Sequence, residues 1–372
     1  MTEMVTSLLR RAYSSFASHI FDVPARLLAF LLFLLFLVMP LTNPGYFIYT
    51  GEGYYILGIL VVANIYAIYA ASWDILAGRT GQLSLGHALF YGIGAYTVAI
   101  LYKFYALPLW VTIPIGILVS VSVALLVGFP CLRVKGPYLS LVTLAFPLIL
   151  TGIFFMFKDV TGGELGISSL PAIIPVPPYT INQQRLAAFY FSSLLLAVSS
   201  VILYKIANSK IGIIFVSMLD DEVASKASGI NTTKYKLLAF AISALFASLA
   251  GAFAASYESS VGISMLALTM SFYPVIMTIL GGIGTIYGPI IGAFILTILD
   301  RYVLKVVVSD ALAHTHIIER AEDLAPWHMI IYTSVVIIFV LAWPRGVTRF
   351  VVDKLEDLEE ARELEEIKKK KK

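Results

Sequence analysis

The 372-residue sequence is poor in cysteine and in charge. It has one cysteine, Cys131, and 13% of its residues are charged, about half the usual share in soluble domains. A single cysteine excludes an internal disulfide scaffold, and five scattered histidines do not form a zinc module. The net charge is only +3, and the terminal Lys368 to Lys372 run supplies five of the positive charges. The sequence therefore gives no reason to expect a nucleic-acid partner.

Motifs for enzymatic chemistry are also missing from the sequence. It contains neither the G-x-x-x-x-G-K-[ST] pattern that cradles nucleotide phosphates nor an H-E-x-x-H metal motif. His314 and His316 with Glu319 come closest to a metal cluster, but two histidines in a polar loop are more often solvated. We therefore predict no catalytic residue, no metal and no nucleotide site in this chain.

Apolar residues, by contrast, make up 59% of the sequence, and the mean hydropathy is +0.88. Such a composition excludes a soluble enzyme and predicts an all-α integral membrane protein with about ten transmembrane helices, located in a cell (plasma or inner) membrane. Glycines interrupt two regions, 84–102 and 265–305, which we expect to be broken or re-entrant. The predicted spans are 27–42, 54–77, 84–102, 108–130, 137–157, 185–206, 236–257, 265–281, 285–305 and 326–343.

The distribution of lysine and arginine predicts the orientation of these spans. When the spans alternate across the bilayer, 20 of the 26 basic residues fall on the side of the N-terminus. Basic residues concentrate on the cytoplasmic side of membrane proteins. We therefore expect both termini to be cytoplasmic, with an N-terminal segment at 1–26, a transmembrane domain at 27–343 and a charged tail at 344–372 that lies near anionic lipid.

Two loops are long enough to do more than connect helices. The external loop, about 158–184, is rich in glycine and proline and is predicted to consist of turns. In the internal loop, about 207–235, apolar positions alternate with acidic ones, so one helix with an apolar face is expected there, ended by Gly229. The apolar positions are Ile213, Ile214, Val216, Met218, Val223 and Ala227.

Asp74 is the carboxylate placed deepest in a predicted span. Its burial costs about 2.5–3.5 kcal/mol on membrane-insertion scales unless it is paired or faces water. One interpretation is a polar group in a translocation path or gate. The other is structural, as a pair with Arg79 or a cap for the turn at Gly78 to Gly81.

The segment 78–88 combines glycines with hydrogen-bonding side chains at the start of a span. Irregular backbone at membrane depth is tolerated only where protein or a water-filled cavity satisfies it. The segment is thus a candidate for the substrate pathway, with close helix packing through Gly86, Gly92 and Gly94 as the alternative. Its candidate pathway residues are Thr80, Gln82, Ser84 and His87, together with Asp74.

Several stretches, taken together, resemble the LivM-type permease subunits of branched-chain amino acid ABC transporters. They occur in order over about 65–295. The most specific are G-x-T-G-Q-L-S-L-G-H-A at 78–88, G-P-Y-L-S-L-V-T-L-A-F at 136–146, T-G-G at 161–163, S-G-I-N-T-T-K-Y-K-L-L-A-F-A-I-S-A at 228–244 and I-L-G-G-I-G-T-I-Y-G-P-I-I-G-A at 279–293. The sequence departs from the family where Asp74 replaces an asparagine and Arg79 an aromatic residue, and its internal loop is less basic.

The resemblance implies a transport subunit rather than an enzyme. Its expected partners are a second, homologous permease, two ATPase subunits that bind ATP and Mg, and an external binding protein that delivers branched-chain or other hydrophobic amino acids. By the same resemblance, Thr161, Gly162 and Gly163 join the candidate pathway, and the internal loop couples to an ATPase. The coupling residues are Asp221, Glu222, Lys226 and Gly229.

Two alternatives remain open. The first is an ABC importer permease for urea, short amides or another small organic solute, because similar permeases serve other binding proteins. The second is a stand-alone secondary transporter or channel in which Asp74 and His87 relay protons or ions.

Overall fold

The computed structural model describes residues 36–132, 134, 137–171, 181–308, 324–343 and 346–348. Helices dominate it, as the composition predicts. They are α1 (Pro44–Tyr49), α2 (Gly51–Thr80), α3 (His87–Tyr105), α4 (Leu109–Cys131), α5 (Pro137–Met156), α6 (Lys158–Thr161), α7 (Ile181–Ala207), α8 (Lys210–Asp220), α9 (Glu222–Ala227), α10 (Thr232–Glu258), α11 (Leu268–Gly281), α12 (Tyr287–Ile298), a π-helical segment (Leu299–Val308) and α13 (Leu324–Ala342).

The chain divides into two units, Met1–Tyr54 and Tyr55–Lys372. In the first, residues 36–42 are helical and Asn43 caps α1 by accepting a hydrogen bond from the Tyr46 amide. Most of the predicted span 27–42 lies outside the described residues. So do the segment 1–26, the histidines at 314 and 316 with Glu319, and nearly all of the tail 344–372.

In the second unit, α3, α4 and α10 pack against one another, and α11 packs against α12. A two-stranded antiparallel pair joins β1 (Ile167–Ser168) to β2 (Ser260–Val261). The break expected in 84–102 is not found, because α3 runs without interruption from His87 to Tyr105 and only residues 84–86 are irregular, whereas the region 265–305 is broken as expected. This region comprises a 3₁₀ turn at Ile263–Leu266, α11, an irregular loop, α12 and the π-helical segment.

Five helical stretches in the described residues are long and apolar enough to cross a membrane, which identifies a multi-pass membrane protein. They are Gly51–Thr80, Leu109–Cys131, Tyr138–Met156, Gln183–Ala207 and Thr232–Glu258. Leu268–Gly281 and Ile330–Ala342 are shorter apolar helices. The total of ten spans and the cytoplasmic termini stay predictions.

Burial separates central from peripheral helices. The most apolar window of α2 is 89% buried within the protein, whereas the corresponding share is 28% in α4 and 22% in α5. Apolar side chains on α4 and α5 therefore remain exposed, as they are on helices that face lipid. Five of the eight candidate pathway residues lie instead on the enclosed helix α2 or within seven residues after it, namely Asp74, Thr80, Gln82, Ser84 and His87.

Candidate functional site

Asp74 lies on the C-terminal half of α2 and is fully buried. Its Oδ1 accepts a hydrogen bond from the Gly284 amide at 2.6 Å, and its Oδ2 accepts one from the Ile286 amide at 3.2 Å. The two amides that hold the carboxylate are thus 210 and 212 residues away in the sequence. Hydrogen bonds to a carboxylate offset much of its burial cost. Asp74 therefore anchors the loop between α11 and α12, a structural role that differs from the predicted cap of the turn at 78–81.

The anchored loop has an unusual backbone. Gly282 and Gly284 have φ angles of +124° and +79°, and the β-branched Ile286 has a φ of +62°. A positive φ is costly for a β-branched residue and persists only where its surroundings impose it. The side-chain hydroxyl of Thr285 donates to the Gly282 carbonyl and accepts from the Gly288 amide. Together with Asp74, these bonds impose the loop conformation.

The space around this anchor admits no side chain at Gly78. A Cβ built there would overlap Asp74 Oδ1 and crowd the Gly284 amide. The glycine at 78 thus lets α2 approach the loop closely enough for the carboxylate to reach both amides.

The polar side chains that follow Asp74 bond to nearby groups. Thr80 donates to the Leu76 carbonyl at 2.6 Å and accepts from Gln82 Nε2 at 3.1 Å. Ser84 Oγ accepts from the Gly86 amide at 3.3 Å. These bonds satisfy an irregular backbone between α2 and α3, although Gln82 Oε1 is buried without a hydrogen-bond partner in the described structure.

His87 begins α3 and is fully buried. Its Nε2 lies 2.9 Å from Ser72 Oγ. Ser72 donates its own proton to the Tyr69 carbonyl, and Ser243 donates to the Ser72 carbonyl. Ser72 Oγ is therefore the acceptor and His87 Nε2 carries the proton. His87 Nδ1 is left as a buried acceptor without a partner among the described residues.

The glycines in and after the segment 78–88 support the alternative interpretation, close packing of helices. A Cβ at Gly94 would overlap the backbone of Ser248 on α10, and one at Gly251 would overlap the backbone of Tyr91 on α3. The two contacts are reciprocal, so α3 and α10 meet backbone to backbone, the arrangement that small residues permit between membrane helices. Gly86 likewise lies against the Thr143 carbonyl of α5.

Thr161, Gly162 and Gly163 form a separate turn. Thr161 Oγ1 donates to the Phe154 carbonyl at 2.7 Å and accepts from the Gly163 amide at 3.2 Å. Gly162 has a φ of +80°, and a Cβ there would overlap the Gly166 carbonyl. The turn directs the chain into β1, which pairs with β2.

The eight candidate pathway residues consequently fall into two groups. Phe154, whose carbonyl accepts from Thr161, packs its ring against Tyr96 of α3 in a tilted arrangement, with ring centroids 4.4 Å apart. Tyr96 lies nine residues beyond His87, about 14 Å along the helix axis. The turn at 161–163 is thus linked through Phe154 to the middle of α3, whereas Asp74, Thr80, Gln82 and Ser84 precede α3 in the chain and His87 begins it. A pathway role for either group stays a prediction.

The internal loop contains two helices rather than the single predicted one. Asp221 has an extended backbone between α8 and α9, and its side chain caps α9 by accepting from the Val223 and Ala224 amides at 2.8 and 3.0 Å. Gly229 follows α9 with a φ of +86°. The prediction that Gly229 ends the helix is confirmed.

Some of the apolar side chains in this loop pack inward and others do not. Met218 is buried, whereas Ile213, Leu219 and Val223 are 68%, 44% and 76% exposed. Exposed apolar side chains outside the membrane-spanning segments are available to a partner, and a contiguous set of them is the usual mark of a binding surface. We refer to Ile213, Leu219 and Val223 as the apolar patch.

Glu222 attaches α9 to the start of α10. Its carboxylate binds Lys236 Nζ at 2.7 Å and Lys226 Nζ at 2.9 Å. Burial by itself raises the pKa of Glu222, but the hydrogen bonds and charges of Lys236 and Lys226 outweigh it and lower the pKa from 4.5 to about 2. The attachment is therefore electrostatic and depends on an ionised Glu222.

The depressed pKa predicts a pH dependence. The stabilisation by Glu222 is complete above pH 4.5 and is lost as the pH falls from 4.5 towards 2. We expect Glu222→Gln to lower the free energy of unfolding by about 1 kcal/mol or less at pH 7, because the pair is partly exposed to water. Thermal unfolding in detergent from pH 7 to pH 3 measures the difference from wild type, which should shrink below pH 4.5. This assignment is contradicted if the stability difference between Glu222→Gln and wild type does not change with pH. It is also contradicted if the exposed neighbour variant Asp220→Asn shows the same pH-dependent difference from wild type.

In the described parts of the chain, no three acidic, histidine or cysteine side chains gather as metal ligands. A group that the sequence reasoning missed does come together. The rings of Tyr66 on α2 and Tyr273 on α11 lie 5.5 Å apart between centroids, and Tyr55 on α2 donates a hydrogen bond to the Arg301 carbonyl of the π-helical segment at 2.7 Å. The signal was available, because Arg301 is a charged residue inside the predicted span 285–305.

Comparisons with known proteins agree with the resemblance seen in the sequence. The family described as "Branched-chain amino acid transport system / permease component" matches residues 55–341. The High-affinity branched-chain amino acid transport system permease protein LivM of Salmonella typhimurium is 31% identical over 261 residues. The protein of the same name from Escherichia coli K12 is 30% identical over the same length. Both alignments cover 64% of this chain and 61% of the relative.

Similarity also extends to a sugar permease. The Ribose import permease protein RbsC of Haemophilus influenzae is 28% identical over 290 residues, which are 73% of this chain and 82% of that protein. No solved structure matches the chain.

Proposed function

The chain belongs to the LivM-type family of branched-chain amino acid permeases, and from this we propose that it is the membrane-spanning permease subunit of an ATP-driven importer. The solutes are branched-chain or other hydrophobic amino acids delivered by an external binding protein. The observation that carries the proposal is the family match over 55–341, supported by LivM relatives at 30% and 31% identity.

The proposed topology has ten membrane spans and both termini in the cytoplasm. It rests on the excess of lysine and arginine on one side of the predicted spans. In this topology, 1–26 and 344–372 are cytoplasmic, 27–343 is the permease domain, the loop 158–184 is external and the loop 207–235 is cytoplasmic.

The proposed partners are a second homologous permease, two ATPase subunits and the external binding protein. ATP and Mg bind to the ATPase subunits, because the sequence of this chain contains no phosphate-binding loop. The apolar patch of the cytoplasmic loop is the docking surface for an ATPase. Asp221, Glu222, Lys226 and Gly229 shape that surface, since they cap, attach and end α9.

Within the permease, the enclosed polar residues on and after α2 form the cytoplasmic end of the proposed solute pathway, as the proposed topology places them. Asp74 contributes by holding the loop at 282–286, and His87 contributes an acceptor nitrogen that has no partner in the described structure. Thr161, Gly162 and Gly163 shape the opposite end, where they support the pairing of β1 with β2.

A different solute is the second candidate. The ribose import permease aligns over 82% of its length, so a permease of this architecture also serves solutes other than amino acids. Urea, short amides and other small organic molecules belong to this alternative. A stand-alone secondary transporter or channel is the third, and it differs because it needs a gradient rather than ATP.

Purification from native membranes separates these proposals. We expect a tagged chain, extracted in mild detergent, to be accompanied by an ATPase and a second permease when its partners are identified by mass spectrometry. In proteoliposomes with the binding protein, uptake should require ATP and be inhibited by unlabelled leucine. Inhibition by ribose or urea instead would favour the second candidate. Uptake by the chain alone, driven by an ion gradient, would overturn the ABC assignment.

A charge in the apolar patch should release the ATPase. Val223 is 76% exposed, so Val223→Glu removes little packing from the fold while placing a carboxylate in an apolar contact, where an unpaired charge is costly. We expect at least about a tenfold loss of co-purifying ATPase, the effect of about 1.4 kcal/mol. The control Thr233→Glu adds the same charge at an exposed polar position of the same loop. Retention of the ATPase by Val223→Glu, or equal loss in both variants, would exclude the patch as the docking surface.

A further inference from the structure

The residues that follow α13 pack against the loop that Asp74 anchors. A Cβ built at Gly346 would overlap the backbone of Gly281 and Gly282, so the two stretches of backbone touch. Gly346 has a φ of +84°, a conformation that glycine adopts readily. Its amide donates to the Trp343 carbonyl at 2.8 Å. The chain therefore turns after α13 and meets the corner where α11 ends.

Thr348 closes this contact with a hydrogen bond. Its hydroxyl donates to the carbonyl of Gly281, the last residue of α11. The last carbonyls of a helix have no partner within the helix, so Thr348 satisfies one that α11 leaves open. The Thr348 side chain is only 6% exposed, which shields the bond from water. We refer to Gly346, Val347 and Thr348 as the strap.

The loop 282–286 is thus held by two separate parts of the chain. Asp74 on α2 binds the amides of Gly284 and Ile286, whereas the strap holds the corner at which the loop begins. The positive φ of Ile286 makes this loop conformation costly by itself. Backbone strain that the surroundings hold in place is typical of switch regions and ligand clamps.

The loop is also connected to the candidate pathway through α11. Close to the loop, Thr278 donates to the Ala70 carbonyl of α2 at 3.4 Å. Further along α11, Ser271 Oγ accepts from the Ala88 amide at 3.3 Å, and Ala88 follows His87 at the start of α3. A shift of the loop and α11 therefore acts on α2 and α3 beside the candidate pathway residues.

We propose that the strap is an autoinhibitory contact that keeps the cytoplasmic end of the solute pathway closed. When Thr348 releases the Gly281 carbonyl, the loop and α11 move away from α2 and the pathway opens. The proposed topology places the strap, the loop and the C-terminal end of α2 on the same, cytoplasmic side. The inference rests on the proposed function and adds to it a closed state that this chain itself maintains.

Hydrogen–deuterium exchange measures the hold on the loop in the purified protein with its co-purifying subunits. The amides of Gly284 and Ile286 exchange when their bonds to Asp74 open, so a peptide that contains 282–286 reports the opening. Thr348→Val keeps the shape of the side chain but removes the hydroxyl. We expect it to raise the exchange rate of this peptide about fivefold, the scale of one lost hydrogen bond. Thr348→Ser keeps the hydroxyl and should exchange like wild type.

A cysteine at position 84 measures the opening of the pathway itself. Ser84 is 1% exposed, and the single native cysteine is replaced by Cys131→Ala, so that Ser84→Cys carries the only thiol. In this background, Thr348→Val should raise the rate of maleimide labelling about fivefold.

The matched control for both measurements is Thr151→Val on α5. It removes a hydroxyl that donates to the Pro147 carbonyl at 2.8 Å, which is the same kind of bond at a distance from the loop in sequence. This variant should change neither the exchange rate of 282–286 nor the labelling rate.

Each other outcome is decisive. If Thr348→Val exchanges like wild type, or if Thr348→Ser exchanges as fast as Thr348→Val, the hydrogen bond does not hold the loop and the inference fails. If exchange rises but labelling at position 84 does not, the strap stabilises the loop without closing the pathway, and the inference fails as well. If Thr348→Val cannot be purified, the bond serves folding and the inference fails. In all these cases, ATP-driven leucine uptake by the wild-type complex keeps the proposed function. If both rates rise but the wild-type complex takes up no solute with ATP, the proposed function fails while the strap still closes the fold.

Discussion

Replacement of Asp74 by alanine is expected to destabilise the folded protein by about 3 kcal/mol or more. The substitution removes the acceptor for the Gly284 and Ile286 amides, and each buried amide left without a partner costs about 1–3 kcal/mol. It also frees Ile286 from contacts that impose its positive φ. The measurement is the thermal unfolding midpoint of the purified complex in detergent, together with the yield of monodisperse protein.

The matched variant for this position is Asp74→Asn. It retains one carbonyl oxygen that is able to accept from one of the two amides, so its loss of stability should be clearly smaller than that of Asp74→Ala. Full stability of Asp74→Ala combined with loss of transport would contradict the anchoring role. That result would instead favour the interpretation of Asp74 as a gate in the solute pathway.

Replacement of Gly94 by alanine should be comparably severe. The new Cβ would lie inside the backbone of Ser248, so α3 and α10 would have to separate along their contact. Overpacking of this kind typically costs 1–3 kcal/mol, and we expect about 3 kcal/mol because the clash involves backbone rather than a movable side chain. Gly251→Ala alters the same interface from the other helix and should have the same effect. Thermal unfolding in detergent checks both variants.

The control for both is Gly152→Ala on α5. Nothing lies within 4 Å of a Cβ built at Gly152, and alanine is favoured over glycine in a helix by up to about 1 kcal/mol. This variant should therefore unfold at the wild-type temperature or slightly above it. Equal destabilisation by Gly94→Ala and Gly152→Ala would show that loss of glycine flexibility, and not the helix contact, sets the cost.

Local sequence features predicted most of the long helices but only some of their breaks. Apolar runs identify α2, α4, α5, α7 and α10 because a membrane-spanning helix needs about 20 apolar residues in a row. The glycines at 281–288 correctly marked a broken helix. By contrast, the internal loop has the composition of one amphipathic helix, and only the extended backbone and cap at Asp221 divide it into two.

The candidate site was predictable in its members but not in its arrangement. Asp74 was conspicuous because a carboxylate in an apolar run requires a partner. Its partners are backbone amides at 284 and 286, and amides have no signature in a sequence. Thr161 was grouped with Asp74 by the family resemblance, yet the structure links Thr161 through Phe154 to the middle of α3 and Asp74 to the loop between α11 and α12. The order of motifs along a chain carries no information on their distance in space.

What the sequence by itself determined was the class of the protein. Its apolar composition requires helices in a bilayer, its motifs place it among the LivM-type permeases, and its basic residues predict an orientation. Only the tertiary structure decided that Asp74 anchors a distant loop and that Gly94 and Gly251 form one helix contact. The physical reason is that composition and periodicity act over one or two helical turns, whereas buried polar groups and backbone contacts depend on how separate helices pack.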